Sequence, residues 1–299
     1  MVPIYPCRYR EISMKQRFPF SPSLFVLSLL FSLPAFSNPP VYAIGHMTNV
    51  PDALSYYTQR NVNAIEVDIN FENGQQAYLH HGTPCDCSTK LHSGQKSVCS
   101  VANACNGKTL AERQFGAIAK LDQHALSMVY LDSKVSKLFP TDQEKYGKQV
   151  IELIESSLFN QGYKGIVIVS TGTTDAEFYL QAAVDRAKQS PNQSQIYFTY
   201  DMIDSYSQAK KALNRLNTKN LVYSTGLTSI ARIDKHYLAN IAAAKKDGFY
   251  PIIWTVDKEQ KINDYFKAGA LGVMTNQPGS LMNVVQQRGL TLAQPNFRP

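Results

Sequence analysis

Nine short runs rich in β-branched and aromatic residues punctuate this chain, and longer amphipathic stretches separate most of them. The runs are Tyr42–His46, Ala64–Ile69, Gln76–His81, Met128–Asp132, Gly165–Ser170, Gln195–Tyr200, Leu221–Thr225, Pro251–Val256 and Gly272–Thr275. Helical periodicity fills Asp52–Arg60, Gln143–Asn160, Ala176–Gln189, Ser205–Leu216, His236–Lys246, Gln260–Ala268 and Leu281–Arg288. Strands alternating with helices at this spacing argue for βα units and a parallel sheet. A single-domain TIM (β/α)₈ barrel, which takes about 250 residues, fits a chain of 299. Nine runs for eight staves leaves one as a loop hairpin or a misread segment. The 44% hydrophobic and 18% charged content excludes a disordered or fibrous chain.

The first 37 residues read as a leader outside the fold. Met14-Lys15-Gln16-Arg17 is a short basic start, Leu24–Leu33 is apolar, and Ala35-Phe36-Ser37 offers small residues for cleavage. That is a signal-peptide pattern, too short for a stable membrane span. Met14 marks an internal start, so residues 1–13 read as an extension, and 38–299 as the barrel. The alternative is an N-terminal anchor that stays attached. The leader holds Arg8, Arg10, Lys15 and Arg17 against Glu11, so the remainder keeps +4 of the formal +7. Such a mildly basic monomer suits an anionic lipid surface or plain solution; the charge is too small for nucleic acid, and no nucleic-acid-binding motif is present.

Cys85, Cys87, Cys99 and Cys105 crowd into one polar stretch, Gly82–Gly107, directly after the run ending in His81. In an exported chain these are disulfide candidates pinning one βα loop. Three pairings are open, with Cys85–Cys87 sterically the least favourable, and a structural zinc site is the alternative.

Polar residues gather at four strand ends: His46; Glu66 and Asp68; His81; Asp132 and Lys134. Residues two apart on a strand share a face, so Glu66 joins Asp68 and Asp132 joins Lys134. TIM-barrel enzymes carry their chemistry where strands end and βα loops begin. Three converging carboxylates call for a divalent cation, and hard oxygen ligands favour Mg²⁺ or Ca²⁺. Two histidines beside such a metal can act as base and acid on a phosphodiester, with Lys134 neutralising transition-state charge. Each residue alone has an ordinary reading: a solvent-facing acidic pair, a packed histidine, a simple ion pair. Their combination at successive strand ends points to catalysis. His80 alternates away from His81 and is left out.

Gly45-His46-Met47-Thr48-Asn49, Ala64-Ile65-Glu66-Val67-Asp68 and His81-Gly82-Thr83-Pro84-Cys85-Asp86-Cys87 resemble consecutive signatures of the sphingomyelinase D/phospholipase D family, which includes spider-venom dermonecrotic toxins. Leu131-Asp132-Ser133-Lys134, Trp254-Thr255-Val256-Asp257 and Met274-Thr275-Asn276-Gln277-Pro278 extend the likeness in order. The resemblance implies catalytic His46, His81 and Lys134, and one Mg²⁺ ion on Glu66, Asp68 and Asp132. It implies Trp254, Asp257 and Asn276 at the substrate cleft, and Asp86 orienting the catalytic loop. A Trp face also suits a choline cation. The implied activity is release of choline or another head-group alcohol from sphingomyelin and lysophospholipids at a membrane surface. The implied mechanism is attack by the substrate's own hydroxyl to give a cyclic phosphate.

Three departures stand out. The cysteine spacing after Cys87 is not the spider pattern, Ile252 stands where the family often has Tyr, and Leu290–Pro299 only loosely matches the family's closing segment. Glycerophosphodiester phosphodiesterases share the barrel, the histidines and Glu-x-Asp, but usually follow the first histidine with Arg, where this chain has Met47. A non-catalytic lipid-binding barrel is the third reading; retention of all six polar residues argues against it.

Overall fold

The computed structural model describes residues 39–82, 108–121, 126–201, 205–226 and 234–299. The leader, Asp86 and the four clustered cysteines lie outside them. Eight parallel strands form the barrel: β1 (Tyr42–Gly45), β2 (Ala64–Asn70), β5 (Met128–Ser133), β6 (Ile166–Thr171), β7 (Ile196–Tyr200), β8 (Val222–Gly226), β9 (Tyr250–Trp254) and β10 (Gly272–Thr275). Each pairs with its neighbours in the order β7-β6-β5-β2-β1-β10-β9-β8. Between β7 and β8 the hoop closes through two isolated bridges, Phe198 with Leu221 and Asp201 with Ser224.

The ninth run, Gln76–His81, is not a stave. Only Tyr78–Leu79 is extended there, as a short strand β3 that turns back antiparallel on β2 and pairs with β4 (Thr109–Leu110). Asn70 pairs with Tyr78 and Ile69 with Leu79, which returns the chain toward Asp68.

Side chains alternate between two apolar compartments. Met128 and Tyr130 of β5, with Ile166 and Ile168 of β6, fill the barrel interior. Val129 and Leu131, with Val167 and Val169, face the helices instead. Because both faces are covered, these strands read as continuous apolar runs. The helices are α1 (Pro51–Thr58), α2 (Ala111–Ala119), α3 (Pro140–Ser157), α4 (Glu177–Ala187), α5 (Tyr206–Leu213), α6 (Asp234–Lys246), α7 (Glu259–Ala268) and α8 (Pro278–Gln287). In α3, Gln143, Tyr146, Gly147, Val150, Ile151 and Ile154 are buried at spacings of three and four, one stripe of a 3.6-residue period. Pro140 opens that helix, where its missing N–H costs nothing. Gly269 closes α7 at φ 100°, the left-handed cap that glycine adopts without a Cβ penalty. No helix among the described residues is long and apolar enough to cross a membrane.

The C-terminal segment covers the lower, N-terminal end of the barrel. The Val41 N–H donates to Thr291 O, and the Ala293 N–H to Val41 O, both at 2.9 Å. Phe297 lies 6.0 Å from the Tyr42 ring between centroids. Buried Asn63 stitches this end together: its Oδ1 accepts from the Ala43 N–H at 2.7 Å, and its Nδ2 donates to Val41 O at 3.1 Å and Ala293 O at 2.9 Å. The loose match of Leu290–Pro299 to the family's closing segment thus coexists with a closed floor.

Candidate active site

The opposite end gathers charge. His46 follows β1, and its N–H extends the β1–β10 ladder to Thr275 O at 3.1 Å. The next three residues fold over the end of β2. The Met47 N–H donates to Glu66 Oε2 at 2.6 Å, from a backbone held at φ 55°. That left-handed conformation is rare for a residue with a long side chain, and such strain clusters at functional sites. Asn49 makes a reciprocal pair with Asp68: its Nδ2 donates to Asp68 Oδ2 at 2.6 Å, and its Oδ1 accepts the Asp68 N–H at 2.8 Å. Buried Gln114, from α2, fastens the loop by donating to Thr48 O at 3.1 Å.

Glu66, Asp68 and Asp132 converge so that one oxygen of each lies within 4.8 Å of the others. The β2–β5 register sets Asp68 beside Asp132, and the pleat puts Glu66 on the same face. Lys134 bridges two of them, with Nζ 2.8 Å from Asp68 Oδ1 and 2.5 Å from Asp132 Oδ2. Burial drives the Glu66 carboxyl well up, with the charge of Asp68 next in effect. Burial also pushes on Asp68, but Lys134 and then His81 outweigh it and hold that carboxyl below its usual range. Burial opposes the charge on Lys134, yet Asp132 and Asp68 raise its ammonium above the ordinary value. An all-oxygen set already drawing one cation fits a hard divalent ion. The triad is a candidate metal site.

His81 arrives by way of β3. The His80 N–H donates to Asp68 O at 3.0 Å, and Asn70 Nδ2 donates to His80 O at 2.6 Å. Pinned so, the next residue sets its ring edge-on to His46, with centroids 6.2 Å apart and planes at 78°. His46 lies on the metal side as well, its Nε2 4.0 Å from Glu66 Oε2.

Behind His46 runs a short relay. Asp257 accepts from Thr275 Oγ1 at 2.9 Å, from the Asn276 N–H at 2.8 Å and from Asn276 Nδ2 at 3.2 Å. This fixes the amide of Asn276, so its Oδ1 is the acceptor for His46 Nδ1 at 2.9 Å. Nδ1 therefore carries a proton, and in the neutral ring Nε2 is left as the base. Burial lowers the His46 pKa, against the opposing effect of the Asn276 bond. Asp257 and Asn276 thus lie behind His46 and orient it. Trp254, at the end of β9, is partly exposed, with its Nε1 buried.

Two further polar groups stand out only in three dimensions. Asn49 lies inside a quoted motif, but its bond to Asp68 is tertiary. Asp201, just past β7, is 9% exposed in the barrel interior. Its Oδ1 accepts from Tyr130 OH and from Ser224 Oγ at 2.5 Å, and its Oδ2 from Ser170 Oγ at 2.8 Å. Burial, with the charge of Asp132 next, pushes its carboxyl up to about 6.

The barrel and site define a phosphodiesterase-type enzyme, and comparison with known proteins agrees. The model of the dermonecrotic toxin SPH family matches residues 37–294. The chain belongs to that family. A dermonecrotic toxin of Hemiscorpius lepturus is 27% identical over 272 residues, spanning 83% of this chain and 79% of its own. A Loxosceles intermedia toxin is 24% identical, spanning 83% and 85% respectively. Among solved structures, a glycerophosphodiester phosphodiesterase from Parabacteroides distasonis superposes with TM-score 0.59 at 11% identity, over 85% of this chain and 99% of that one. A putative glycerophosphoryl diester phosphodiesterase from Silicibacter pomeroyi gives 0.56 at 14% identity, over 86% and 97%. At such identities the likeness shows the fold.

Proposed function

We propose that this chain is an exported, Mg²⁺-dependent phospholipase D of the sphingomyelinase D type. Its substrates are sphingomyelin and lysophospholipids at a membrane surface, and its leaving group is choline or another head-group alcohol. The observation that carries this reading is the pair of histidines facing each other at 6.2 Å beside a three-carboxylate cluster. A phosphodiester with its own free hydroxyl needs one base, one acid and charge compensation, and no external nucleophile.

His46 is the base. Asn276 holds the proton on Nδ1, and burial favours the neutral ring, so Nε2 takes the proton of the substrate hydroxyl. The freed oxygen attacks phosphorus, the bond to the head-group oxygen breaks, and His81 donates a proton to that oxygen. Lys134 balances the charge on the phosphoryl oxygens. Mg²⁺, held by Glu66, Asp68 and Asp132, would add Lewis-acid polarisation of the phosphoryl group. The products are a cyclic phosphate and a free alcohol. Export is supported by the leader, and a disulfide-pinned loop by the four clustered cysteines.

Phosphorus NMR of sphingomyelin, lysophosphatidylcholine and glycerophosphocholine, with and without EDTA, tests this reading. A cyclic phosphate resonance is expected from the first two lipids and none in EDTA. Turnover of glycerophosphocholine alone, or full activity in EDTA, overturns it.

A further inference from the structure

Three carboxylates at a barrel mouth leave the size of their cation open, since Mg²⁺ and Ca²⁺ both take oxygen ligands. The two ions differ in what they ask of a carboxylate. Ca²⁺ accepts roughly six to eight oxygens in a loose shell and readily takes both from one carboxylate. Mg²⁺ demands a near-ideal octahedron, which the narrow bite of a two-oxygen carboxylate distorts. The number of oxygens each side chain can release therefore bears on the choice.

The segment Met47–Asn49 limits that number. The Met47 N–H donates to Glu66 Oε2 at 2.6 Å, and Asn49 Nδ2 donates to Asp68 Oδ2 at 2.6 Å. Both bonds are short for N–H donors, and both acceptors are buried, Glu66 at 2% exposure and Asp68 at 1%. A cation chelated by both oxygens of either group would close on those N–H hydrogens, positive against positive. One oxygen of each remains. On Asp68 it is Oδ1, and the Lys134 ammonium stands 2.8 Å from it, so the oxygen that Asn49 leaves open is the one that faces a cation.

The amide of Asn49 cannot turn round. The Asp68 backbone N–H can only donate, and it meets Asn49 Oδ1 at 2.8 Å, so Nδ2 must face Oδ2. Asn49 is fully buried. The turn that carries it is fastened by the Thr48 N–H on Glu66 O at 2.8 Å and by Gln114 Nε2 on Thr48 O at 3.1 Å. We propose that Asn49 is a positioning residue that confines Asp68 to one-oxygen ligation and so makes the triad select Mg²⁺ over Ca²⁺. The presence of a metal rests on the functional reading above; the allotment of oxygens does not.

Isothermal titration calorimetry of MgCl₂ and CaCl₂ into the EDTA-stripped full-length protein, without lipid, measures the preference. The wild type is expected to bind Mg²⁺ more tightly than Ca²⁺. Asn49→Ala, with circular dichroism showing an intact fold, should weaken Mg²⁺ at least about tenfold, the usual cost of losing a partner that orients a metal ligand. Ca²⁺ should weaken far less or tighten, because Asp68 regains its second oxygen, and the Mg²⁺-to-Ca²⁺ preference should fall at least about fivefold. General loosening of the site would weaken both ions alike and leave the preference where it was. A smaller fall in preference, a wild type that prefers Ca²⁺, or no saturable binding of either ion overturns the proposal. If Asn49→Ala does not fold, Asn49→Asp serves: it keeps an acceptor for the Asp68 N–H, loses the donor to Oδ2, and should lower the preference likewise. An unmoved preference overturns the proposal equally. Failure with Mg²⁺ still bound leaves the lipid reading standing, and a shifted preference without lipid turnover does the reverse.

Discussion

At the lower end of the barrel, Asn63 and Ser127 are buried polar side chains bonded to the backbone of the closing segment, with no formal charge nearby in their bonds. At the upper end, Glu66, Asp68 and Asp132 are carboxylates crowded toward one another, with Lys134 as the ammonium between two of them, and Asp201 is a further buried carboxyl held by hydroxyls. The same alternation of strand and helix builds both ends. Neutral polar groups matched to backbone stabilise a structure, whereas like charges gathered in low dielectric destabilise it until a ligand arrives. The lower end holds the fold; the upper end carries the chemistry.

The sharpest way to break this contrast is to remove one histidine. His46→Ala or His81→Ala should lower kcat by about 10²–10⁴-fold, the usual contribution of a general acid or base, with the melting temperature nearly unchanged. A variant with wild-type turnover would remove that residue from the mechanism. Asn63→Ala should do the reverse. It orphans buried backbone groups worth about 3 kcal/mol in total, which in a chain this size is a fall of roughly 6–12 °C in Tm. Turnover at 25 °C should stay at the wild-type level, and a large loss there would show that the two ends are not separable.

The smallest effect has the more instructive sign. The Glu66 pKa is raised in the fold, so its stabilising influence is greatest below the unfolded value and is lost as pH rises through the folded one. In EDTA at pH 8, Glu66→Gln should therefore raise Tm by about 2–4 °C, near 1 kcal/mol, with the gain shrinking toward zero at pH 4. Added Mg²⁺ should stabilise the wild type and not the variant. A lower Tm in EDTA at pH 8 would mean that the Glu66 charge supports the fold.

Much of this was legible in the sequence because strand period and motif order are local properties. Eight of the nine runs became staves, and the two-residue repeat alone put Glu66 on a face with Asp68 and Asp132 on a face with Lys134, while the β2–β5 register that sets Asp68 beside Asp132 is seen only in the fold. What escaped was tertiary. Gln76–His81 looked like a stave because Ala77-Tyr78-Leu79 is an apolar core leading to a polar strand end, but its partner is the outgoing end of β2, which turns it back. Helix α2 was missed because Gln114 interrupts an apolar stripe of only Ala111, Phe115 and Ile118. Asp201 carried no local signal: its three donors come from β5, β6 and β8, and only closure of the barrel brings them together.

The two bridges between β7 and β8 give that closure a mechanical side. A hoop of parallel strands is as strong as its clasp, and here Phe198 with Leu221 and Asp201 with Ser224 are that clasp. The second of these bridges ties the backbone at the point where the same two side chains share a hydrogen bond. The seam between β7 and β8 is thus held by a side-chain bond to a buried carboxyl where the other staves rely on a continuous backbone ladder, so the strength of the hoop there depends on the hydrogen bonding of one acid.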